Sequence, residues 1–449
     1  MARPNIVFIM ADDLGYGELG CYGQEWIRTP RLDRMAAEGV RLTQFYSSAP
    51  VCAPARCQLM TGLHAGHAYV RDNREVQPEG QAPIPDDAWT MAEALRACGY
   101  VTGATGKWGL GPPRSEGDPV NQGFDFFYGY NCQRQAHNYY PTHLWRNQVK
   151  EVLAGNVAGN LVGEQYAHDL IIDEALGFIR REQDGPFFLY VPVTIPHVAL
   201  QVPEDSLASY AGVFDEVPYE GNQGYLPHPE PHGAYAAMVS RLDRDVGRIL
   251  DLLAELDLEE NTLVIFTSDN GPTHGRVGGA DSAFFHSTAG LRGLKGSVYE
   301  GGIRVPFVAR WPGVIEAGRV EPCAGVGYDM MPTLLAIAGG AAPEGLDGVD
   351  LSATILGRGV QGPRPWIYWE FPGYGGQQAL RFGDIKAVRR GLHKGPVVTE
   401  IYDLSADAAE TTDLASQRPD LVERAEAIMR GAHRPSPLFP FPALDAPGE

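Results

Sequence analysis

The alternation of short apolar runs with longer amphipathic segments constrains the fold of this chain more than any other feature. Residues 5–10 (NIVFIM) and 262–266 (TLVIF) are rich in β-branched and aromatic residues, as is typical of buried strands. Residues 29–38 and 89–97 have helical periodicity, and each is followed by glycine and a β-branched run. The pattern predicts an α/β fold with a large, mostly parallel or mixed sheet sandwiched by helices.

A change of composition divides the chain into two parts. Residues 234–256 have the longest helical pattern, which predicts a helix on the sheet. Residues 339–365 are rich in Gly and Pro, and short strand-like segments follow. We therefore predict a large domain over residues 1–354 and a small C-terminal α+β subdomain over residues 355–449. The subdomain is predicted to contain an antiparallel sheet, a helix near residues 419–430 and a proline-rich tail.

The charge of the chain excludes several classes of partner. Its 36 Lys and Arg against 56 Asp and Glu give a formal net charge of -20. Such a field repels nucleic acid and anionic membrane surfaces, so we predict neither as a partner. No segment approaches the ~20 apolar residues of a membrane span. No signal peptide is visible and the six cysteines are scattered, so we expect a cytoplasmic location, or a periplasmic or secreted one if a leader was removed.

Acidic residues follow two of the predicted strands. Asp12 and Asp13 come after the first apolar run, and Asp269 and Asn270 come after the late one. Ligands of open α/β sheets bind at the carboxyl ends of the strands, so these side chains are expected to meet. Oxygen ligands suit Ca²⁺ or Mg²⁺ better than zinc, and three carboxylates repel one another without a cation. We predict one divalent metal there, although either pair alone would more often be a solvated turn.

The segment Val51–Arg56 (VCAPAR), with Thr61–Gly62 shortly after it, resembles the sulfatase motif C-x-P-x-R followed by Thr-Gly. In that family a formylglycine-generating enzyme oxidises the cysteine, and the hydrated aldehyde supplies the nucleophile. The resemblance implies that Cys52 is modified and contributes to the metal site, and that Arg56 steadies its charged form. The usual serine between Pro and Arg is Ala55 here. Cys52 alone would more often be a buried free cysteine.

Further segments match the family in the same order, and together with the acidic pairs they span residues 5–313. They are residues 99–109, Thr194–His197 and residues 294–306. A lone lysine is usually a solvated charge and a lone histidine a core residue, but the ordered series makes chance matches improbable. The resemblance implies an alkaline-phosphatase-like fold. For the one divalent metal we favour Ca²⁺ over Mg²⁺, although the sequence leaves the choice between them open. The implied catalytic residues are Cys52, Arg56, Lys107, His197 and Lys295.

The resemblance also implies a mechanism with one open step. A sulfate ester has a negative charge and a poor leaving group, so catalysis requires charge neutralisation, a strong nucleophile and an acid. A hydroxyl of the formylglycine hydrate would attack sulfur, His197 or Lys295 would protonate the leaving oxygen, and deprotonation of the second hydroxyl would eliminate sulfate. Many family members have histidine where this chain has Gly109, so the base for elimination stays open. The candidate replacements are His64, His67 and His137.

Candidate substrate contacts lie where aromatic and hydrogen-bonding side chains mix. These segments are residues 136–140, residues 71–73 and the loop after Asn270. Such a mixture suits a small sulfated sugar, although aromatic residues in an insertion more often pack a local core. We favour a carbohydrate sulfate over a small aryl or alkyl sulfate. The predicted contacts are His137, His274, Arg71 and Asn73.

Two alternative functions stay open at this point. Some relatives in the same superfamily use formylglycine on tetrahedral phosphorus, so a phosphonate or phosphate ester hydrolase is the second candidate. A non-catalytic relative that binds sulfated sugars through an unmodified Cys52 is the third. A binding protein has little need for an acid and two lysines, so the set of Lys107, His197 and Lys295 argues against it. The sequence predicts no particular oligomeric state.

Overall fold

A ten-stranded mixed sheet forms the centre of the computed structural model, which describes residues 3–359, 361–362, 364–394 and 396–445. Its strands are β1 (Asn5–Asp12), β2 (Val40–Tyr46), β3 (Val101–Lys107), β4 (Phe126–Tyr130), β5 (His143–Arg146), β6 (Val149–Val152), β7 (Phe187–Pro196), β8 (Thr262–Ser268), β9 (Phe307–Arg310) and β10 (Arg319–Val326). Their order is β10-β2-β9-β8-β1-β7-β3-β4-β5-β6. The neighbours β8, β1, β7, β3 and β4 are parallel, whereas β9, β5 and β6 pair antiparallel. The predicted mostly parallel, mixed sheet is confirmed.

Helices cover both faces of this sheet. They are α1 (Pro30–Ala37), α2 (Cys52–Thr61), α3 (Met91–Ala97), α4 (Ala167–Arg181), α5 (Glu204–Leu207), α6 (Pro231–Glu255), α7 (Glu300–Ile303), α8 (Met330–Ile337), α9 (Ser352–Ile355), α10 (Pro419–Ala432) and α11 (Pro442–Asp445). Side chains alternate between the faces of a strand, so Ile6, Phe8 and Met10 join one core while Val7 and Ile9 join the other. Helices α2, α3 and α8 contribute to the first core and α1, α4 and α6 to the second.

A smaller antiparallel sheet follows in the C-terminal part of the chain. Its strands are β11 (Ile367–Phe371), β12 (Gln377–Phe382), β13 (Ile385–Arg390) and β14 (Val398–Asp403), paired in that order. One face packs on α10, and the other packs with Tyr46 and Tyr299 against the large domain. The small antiparallel sheet with a helix is thus confirmed. The exact boundary at residues 354 and 355 stays a prediction, and part of the tail, residues 446–449, lies outside the described residues.

Within the described part of the chain, no helix is both long enough and apolar enough to cross a membrane.

Candidate active site

The two acidic pairs leave the sheet side by side. Strands β1 and β8 are parallel neighbours in register from Asn5 and Thr262 onwards, so their carboxyl ends coincide. The backbone N–H of Asp13 donates to Oδ1 of Asp269 at 3.1 Å. Nδ2 of Asn270 donates to Oδ1 of Asp13 at 2.7 Å. With Asp12, which is equally buried, these residues form one polar cluster at the edge of the sheet.

Helix α2 aims its first residue at this cluster. Sγ of Cys52 lies 3.3 Å from Oδ1 of Asp12 and 3.4 Å from Nζ of Lys295. Residues four apart share a helix face, so Arg56 points the same way. Its Nη2 lies 2.8 Å from Oδ2 of Asp269 and 3.4 Å from Oδ2 of Asp12. The cysteine and arginine of the motif therefore contact the acidic cluster directly.

Two lysines and a histidine complete the cluster. Lys107 ends β3, and its Nζ lies 2.5 Å from Oδ2 of Asp12. Nζ of Lys295 lies 2.7 Å from Oδ1 of Asp13. His197 directly follows β7, and its Nε2 lies 3.5 Å from Oδ2 of Asp13. The structure thus brings together every residue that was predicted from the sequence to be catalytic or metal-binding.

The charges of this cluster are nearly balanced. Burial opposes ionisation of Asp12, but the nearby cations, Lys107 foremost, hold the pKa of its carboxyl well below the ordinary value. Burial likewise disfavours the charged form of Lys295, yet the Asp13 carboxylate raises its pKa well above the usual range. Burial and the charge of Lys295 lower the pKa of His197 well below 6.5, so this imidazole is neutral at pH 7. Three carboxylates thus face three cationic side chains, and repulsion alone does not require a metal.

The donor set nevertheless fits a hard divalent cation. Nδ2 of Asn270 donates to Oδ1 of Asp13 and to the carbonyl of Gly271 at 2.9 Å, which fixes the orientation of the amide. Its Oδ1 is then left buried without a hydrogen-bond partner among the described residues. A buried unpaired oxygen costs about 1–3 kcal/mol. Ligand atoms of Asp12, Asp13, Cys52 and His197 also lie within 4.8 Å of one another. An ion coordinated by oxygen atoms would satisfy the unpaired amide oxygen.

A cleft of about 720 Å³ opens above the cluster. The rings of His137 and His197 stack in it with centroids 4.1 Å apart. Three of the four predicted substrate contacts, His137, His274 and Asn73, therefore line the same space. The lining residues are Cys52, Asn73, Glu75, Gln81, Gln133, Arg134, His137, His197, Tyr225, Thr273, His274, Val277, Lys295 and Tyr374.

The fourth predicted contact, Arg71, lies elsewhere. Its buried guanidinium donates through Nη1 to Oε1 of Glu370 at 3.0 Å and to the carbonyl of Arg434 at 2.6 Å. Nε and Nη2 donate to the carbonyls of Ala68 and Gly66. With its donors engaged inside the protein, Arg71 joins the large domain to the small sheet and is not a substrate contact in this structure.

Replacing Arg71 with alanine should destabilise the protein without changing catalysis. The substitution leaves the buried Glu370 with His433 as its remaining charged partner and removes the donors to three carbonyls. We therefore expect a loss of about 3 kcal/mol in the free energy of unfolding. Urea unfolding measures this loss, and KM for an aryl sulfate should stay within about twofold of wild type. A raised KM with unchanged stability would instead restore Arg71 as a substrate contact.

Two of the three candidate replacements for the missing histidine are also outside the cleft. The rings of His64 and His67 stack on each other with centroids 4.2 Å apart. Nδ1 of His67 lies 2.9 Å from Oδ2 of Asp347, which also accepts from the backbone N–H of His64 at 2.9 Å. This group ties the end of α2 to a loop near α9. Of the three candidates, His137 is the one that lines the cleft.

Gly109 leaves space that another side chain fills. Gly109 has φ +77°, and a Cβ built there would lie 3.0 Å from Cγ of Gln133. The backbone N–H of Ala53 donates to Oδ1 of Asn73 at 3.1 Å, and Nε2 of Gln133 donates to the same oxygen at 3.0 Å. Sequence reasoning missed Gln133, and likewise Tyr225 and Tyr374, because neither their type nor their spacing separates them from ordinary loop residues.

A buried carboxyl below the acidic loop makes stability depend on pH. Burial raises the pKa of Glu18 from 4.5 to about 7, although Tyr235 Oη and the Gly15 N–H each donate to it at 2.6 Å. The folded protein therefore binds this proton more tightly than the unfolded chain. Stability from this group is complete below pH 4.5 and falls by about 3 kcal/mol as the pH rises to about 7. Urea unfolding at several pH values should show a fall in stability that is about 3 kcal/mol larger in wild type than in Glu18→Gln. Parallel profiles of the two proteins would contradict this.

The fold and the cluster together define a class of protein. A doubly covered α/β sheet with carboxylates, cationic side chains and a buried cysteine thiol at its carboxyl edge is the alkaline-phosphatase-like fold. The sulfatase family model matches residues 4–341, and the model for the N-sulphoglucosamine sulphohydrolase C-terminal region matches residues 294–427. The chain belongs to the sulfatase family, and it is a sulfuric ester hydrolase.

Individual relatives agree with this assignment. Arylsulfatase A of Homo sapiens is 35% identical over 454 residues, covering 93% of this chain and 80% of the relative. N-acetylgalactosamine-6-sulfatase of Canis lupus familiaris is 35% identical over 385 residues, covering 82% and 68%. The solved structure of Ps i-CgsB in complex with k-i-k-neocarrahexaose is similar with a TM-score of 0.80 and 27% identity, covering 96% of this chain and 92% of that chain.

Proposed function

We propose that this sulfatase hydrolyses the sulfate ester of a carbohydrate, using a formylglycine made from Cys52 and one divalent metal, Ca²⁺ rather than Mg²⁺. The observation that carries this proposal is the position of Cys52. Its Sγ contacts both Asp12 and Lys295 where the acidic cluster meets a cleft of about 720 Å³. A sulfate group held there would meet the reactive side chain and the cations at once.

The chemistry of the cleft supports a sugar. Its lining combines aromatic rings with amide, hydroxyl and charged side chains, and its volume is within the usual range for ligand sites. The relatives include an N-acetylgalactosamine-6-sulfatase. Small aryl sulfates would fill only part of this space, so we expect them to react as non-natural substrates.

Four residues would hold the metal ion, namely Asp12, Asp13, Asp269 and Asn270. Their side chains offer several oxygens in an irregular arrangement, which suits Ca²⁺ better than the strict octahedron of Mg²⁺. When bound, the ion would neutralise charge on the sulfate oxygens. Because the charges of the side chains cancel, the bound ion would give the site a net charge of about +2. That charge matches a monoanionic sulfate ester with one further negative charge that develops during the reaction.

The side chains of this site suggest which group protonates the leaving oxygen. Nδ1 of His197 faces the backbone carbonyl of Val198, so in the neutral ring Nδ1 carries the proton and Nε2 has none to donate. Nζ of Lys295 is protonated and lies 3.4 Å from Sγ of Cys52. We therefore assign the acid role to Lys295. His197 would accept a hydrogen bond through Nε2 from a hydroxyl group in the site.

A formylglycine hydrate at residue 52 would supply the attacking oxygen and would regenerate itself by releasing sulfate. Arg56 and Lys107 would hold negative charge beside it, through the contacts they make with Asp12 and Asp269. Because Cys52 is only 2% exposed, we expect the formylglycine-generating enzyme to act before α2 packs into the domain. His137 would be the base for elimination, since it is the one of the three candidate replacements for the missing histidine that lines the cleft.

Two measurements test this function. We expect nitrophenyl sulfate to be hydrolysed much faster than a nitrophenyl phosphonate, and a faster reaction of the phosphonate would favour the phosphonate hydrolase instead. Intact-mass analysis of the Cys52 peptide should show replacement of the thiol by an aldehyde that hydrazides trap. A wholly unmodified peptide, from cells that carry the modifying enzyme, would favour a protein that only binds sulfated sugars.

A further inference from the structure

Tyr374 exposes an aromatic ring at the mouth of the cleft. It lies in the turn between β11 and β12, lines the cleft and is 66% exposed. Single exposed apolar side chains are common on protein surfaces, so exposure alone identifies no site. The conformation of the backbone and the surroundings of the ring are more informative.

The backbone of Tyr374 is in the left-handed region, with φ +49°. This conformation is disfavoured for a bulky side chain and costs nothing special for glycine. The turn reads Gly373-Tyr374-Gly375-Gly376, so the chain places an aromatic residue at the position where another glycine would be unstrained. Strained residues cluster at ligand sites, and the strain directs attention to what the ring does.

The ring is held against the segment that carries the catalytic lysine. A Cβ built on Gly296 would lie 2.8 Å from Cε2 of Tyr374, so the ring packs on the bare backbone of residue 296. That backbone is fixed, because its N–H donates to Pro50 and its carbonyl accepts from Nε2 of Gln377, both at 2.8 Å. The preceding residue, Lys295, extends to Cys52. Tyr374 therefore packs beside the residue whose side chain reaches Cys52.

A second ring extends this surface. The imidazole of His274 lies with its centroid 5.4 Å from that of Tyr374, and both side chains line the cleft. Burial and the charge of Lys295 lower the pKa of His274, so the imidazole is neutral at pH 7. The two rings, tilted by 39° to each other, make an uncharged aromatic patch beside a strongly charged floor. Such a patch suits a ligand with an apolar face and hydroxyl groups at its edge.

We propose that Tyr374 and His274 form a subsite for the sugar ring next to the sulfated one, so that the substrate is at least a disaccharide. This inference rests on the proposed carbohydrate sulfatase function. The charged floor takes the sulfate group, and the cleft has more room than a single sulfated sugar needs. The uncharged patch at the rim takes the apolar face of the neighbouring pyranose.

Variants at position 374 test the subsite. Tyr374→Asn removes the ring but tolerates the left-handed backbone, and Tyr374→Phe keeps the ring. The substrates are nitrophenyl sulfate, N-acetylgalactosamine 6-sulfate and a disaccharide that ends in N-acetylgalactosamine 6-sulfate. Tyr374→Asn should lower kcat/KM for the disaccharide about tenfold, mainly through KM, because loss of one aromatic contact is worth about a factor of ten. The other two substrates should change less than about twofold, and Tyr374→Phe should behave as wild type.

The control is Trp89→Ala, which removes an aromatic residue that is 47% exposed outside the cleft lining. This variant should have the same kcat/KM as wild type for all three substrates. The subsite would be overturned if Tyr374→Asn lost kcat/KM equally on all three substrates, or lost none on the disaccharide. It would also be overturned if wild type hydrolysed nitrophenyl sulfate but neither saccharide. If wild type hydrolyses no sulfate ester, the proposed function itself fails. In that case the Kd of the unsulfated disaccharide, measured by calorimetry, tests the subsite. It should be about tenfold higher for Tyr374→Asn than for wild type, and equal Kd values would overturn the subsite.

Discussion

Replacing Cys52 with alanine should lower kcat for nitrophenyl sulfate by at least about 10⁴-fold. Loss of a nucleophile typically costs 10⁴ to 10⁶ in kcat, and residual activity comes from binding and charge stabilisation alone. In the proposed mechanism, Cβ of Cys52 becomes the aldehyde carbon, and alanine cannot be converted in this way. The two side chains in contact with its Sγ, Asp12 and Lys295, are engaged in ion pairs with Lys107 and Asp13. Steady-state kinetics on purified protein measures the loss.

Two further variants sharpen this test. Cys57→Ala removes another buried cysteine of α2, which packs in the hydrophobic core and does not line the cleft. It should keep kcat within about threefold and leave the Cys52 peptide modified. Cys52→Ser supplies a hydroxyl that can attack sulfur once but cannot release sulfate by elimination, so its intact mass should increase by one SO₃ group. Full activity of Cys52→Ala would contradict the proposal that residue 52 supplies the nucleophile.

The sequence predicts the buried centre of this fold well and its margins poorly. Strands β1 and β8 are covered on both faces, so each is a continuous apolar run that stands out. Strand β10 lies at an edge, is half-exposed and contains Pro322, so its pattern resembles a loop. The start of α3 was predicted two residues early, because Thr90 caps the helix and so cannot lie within it.

The residues of the site were predictable to different degrees. Asp12 and Asp269 follow strands whose parallel pairing forces their side chains together, so topology alone locates them. Arg71 was misplaced because its residue type does not reveal Glu370, a partner 299 positions away. Tyr374 was missed because a turn of the small sheet becomes a wall of the cleft only when the two sheets pack.

The case for a metal changes once the structure is known. The sequence argument rested on repulsion among three carboxylates, but Arg56, Lys107 and Lys295 already offset that repulsion. Two arguments for a metal ion remain, namely the buried, unpaired Oδ1 of Asn270 and the balance of charge in the cluster. A neutral cluster has no net attraction for a sulfate ester, whereas a cluster with a divalent cation has. The cation is thus needed for the substrate more than for the fold.

Removing divalent metal with a chelator should therefore lower kcat/KM for nitrophenyl sulfate by about 10²–10³-fold, the usual cost of losing one preorganised charge at a reacting anion. Adding Ca²⁺ at about 100 times its Kd should restore activity and raise the free energy of unfolding by about 2.7 kcal/mol, which corresponds to about 3 °C in Tm for a chain of this size. Asn270→Leu removes the unpaired oxygen and should weaken the Ca²⁺ response of Tm, while Trp89→Ala should keep it. Activity and Tm that are indifferent to both chelator and Ca²⁺ would contradict a metal at this cluster, because a site with balanced side-chain charges would then have to attract the sulfate ester unaided.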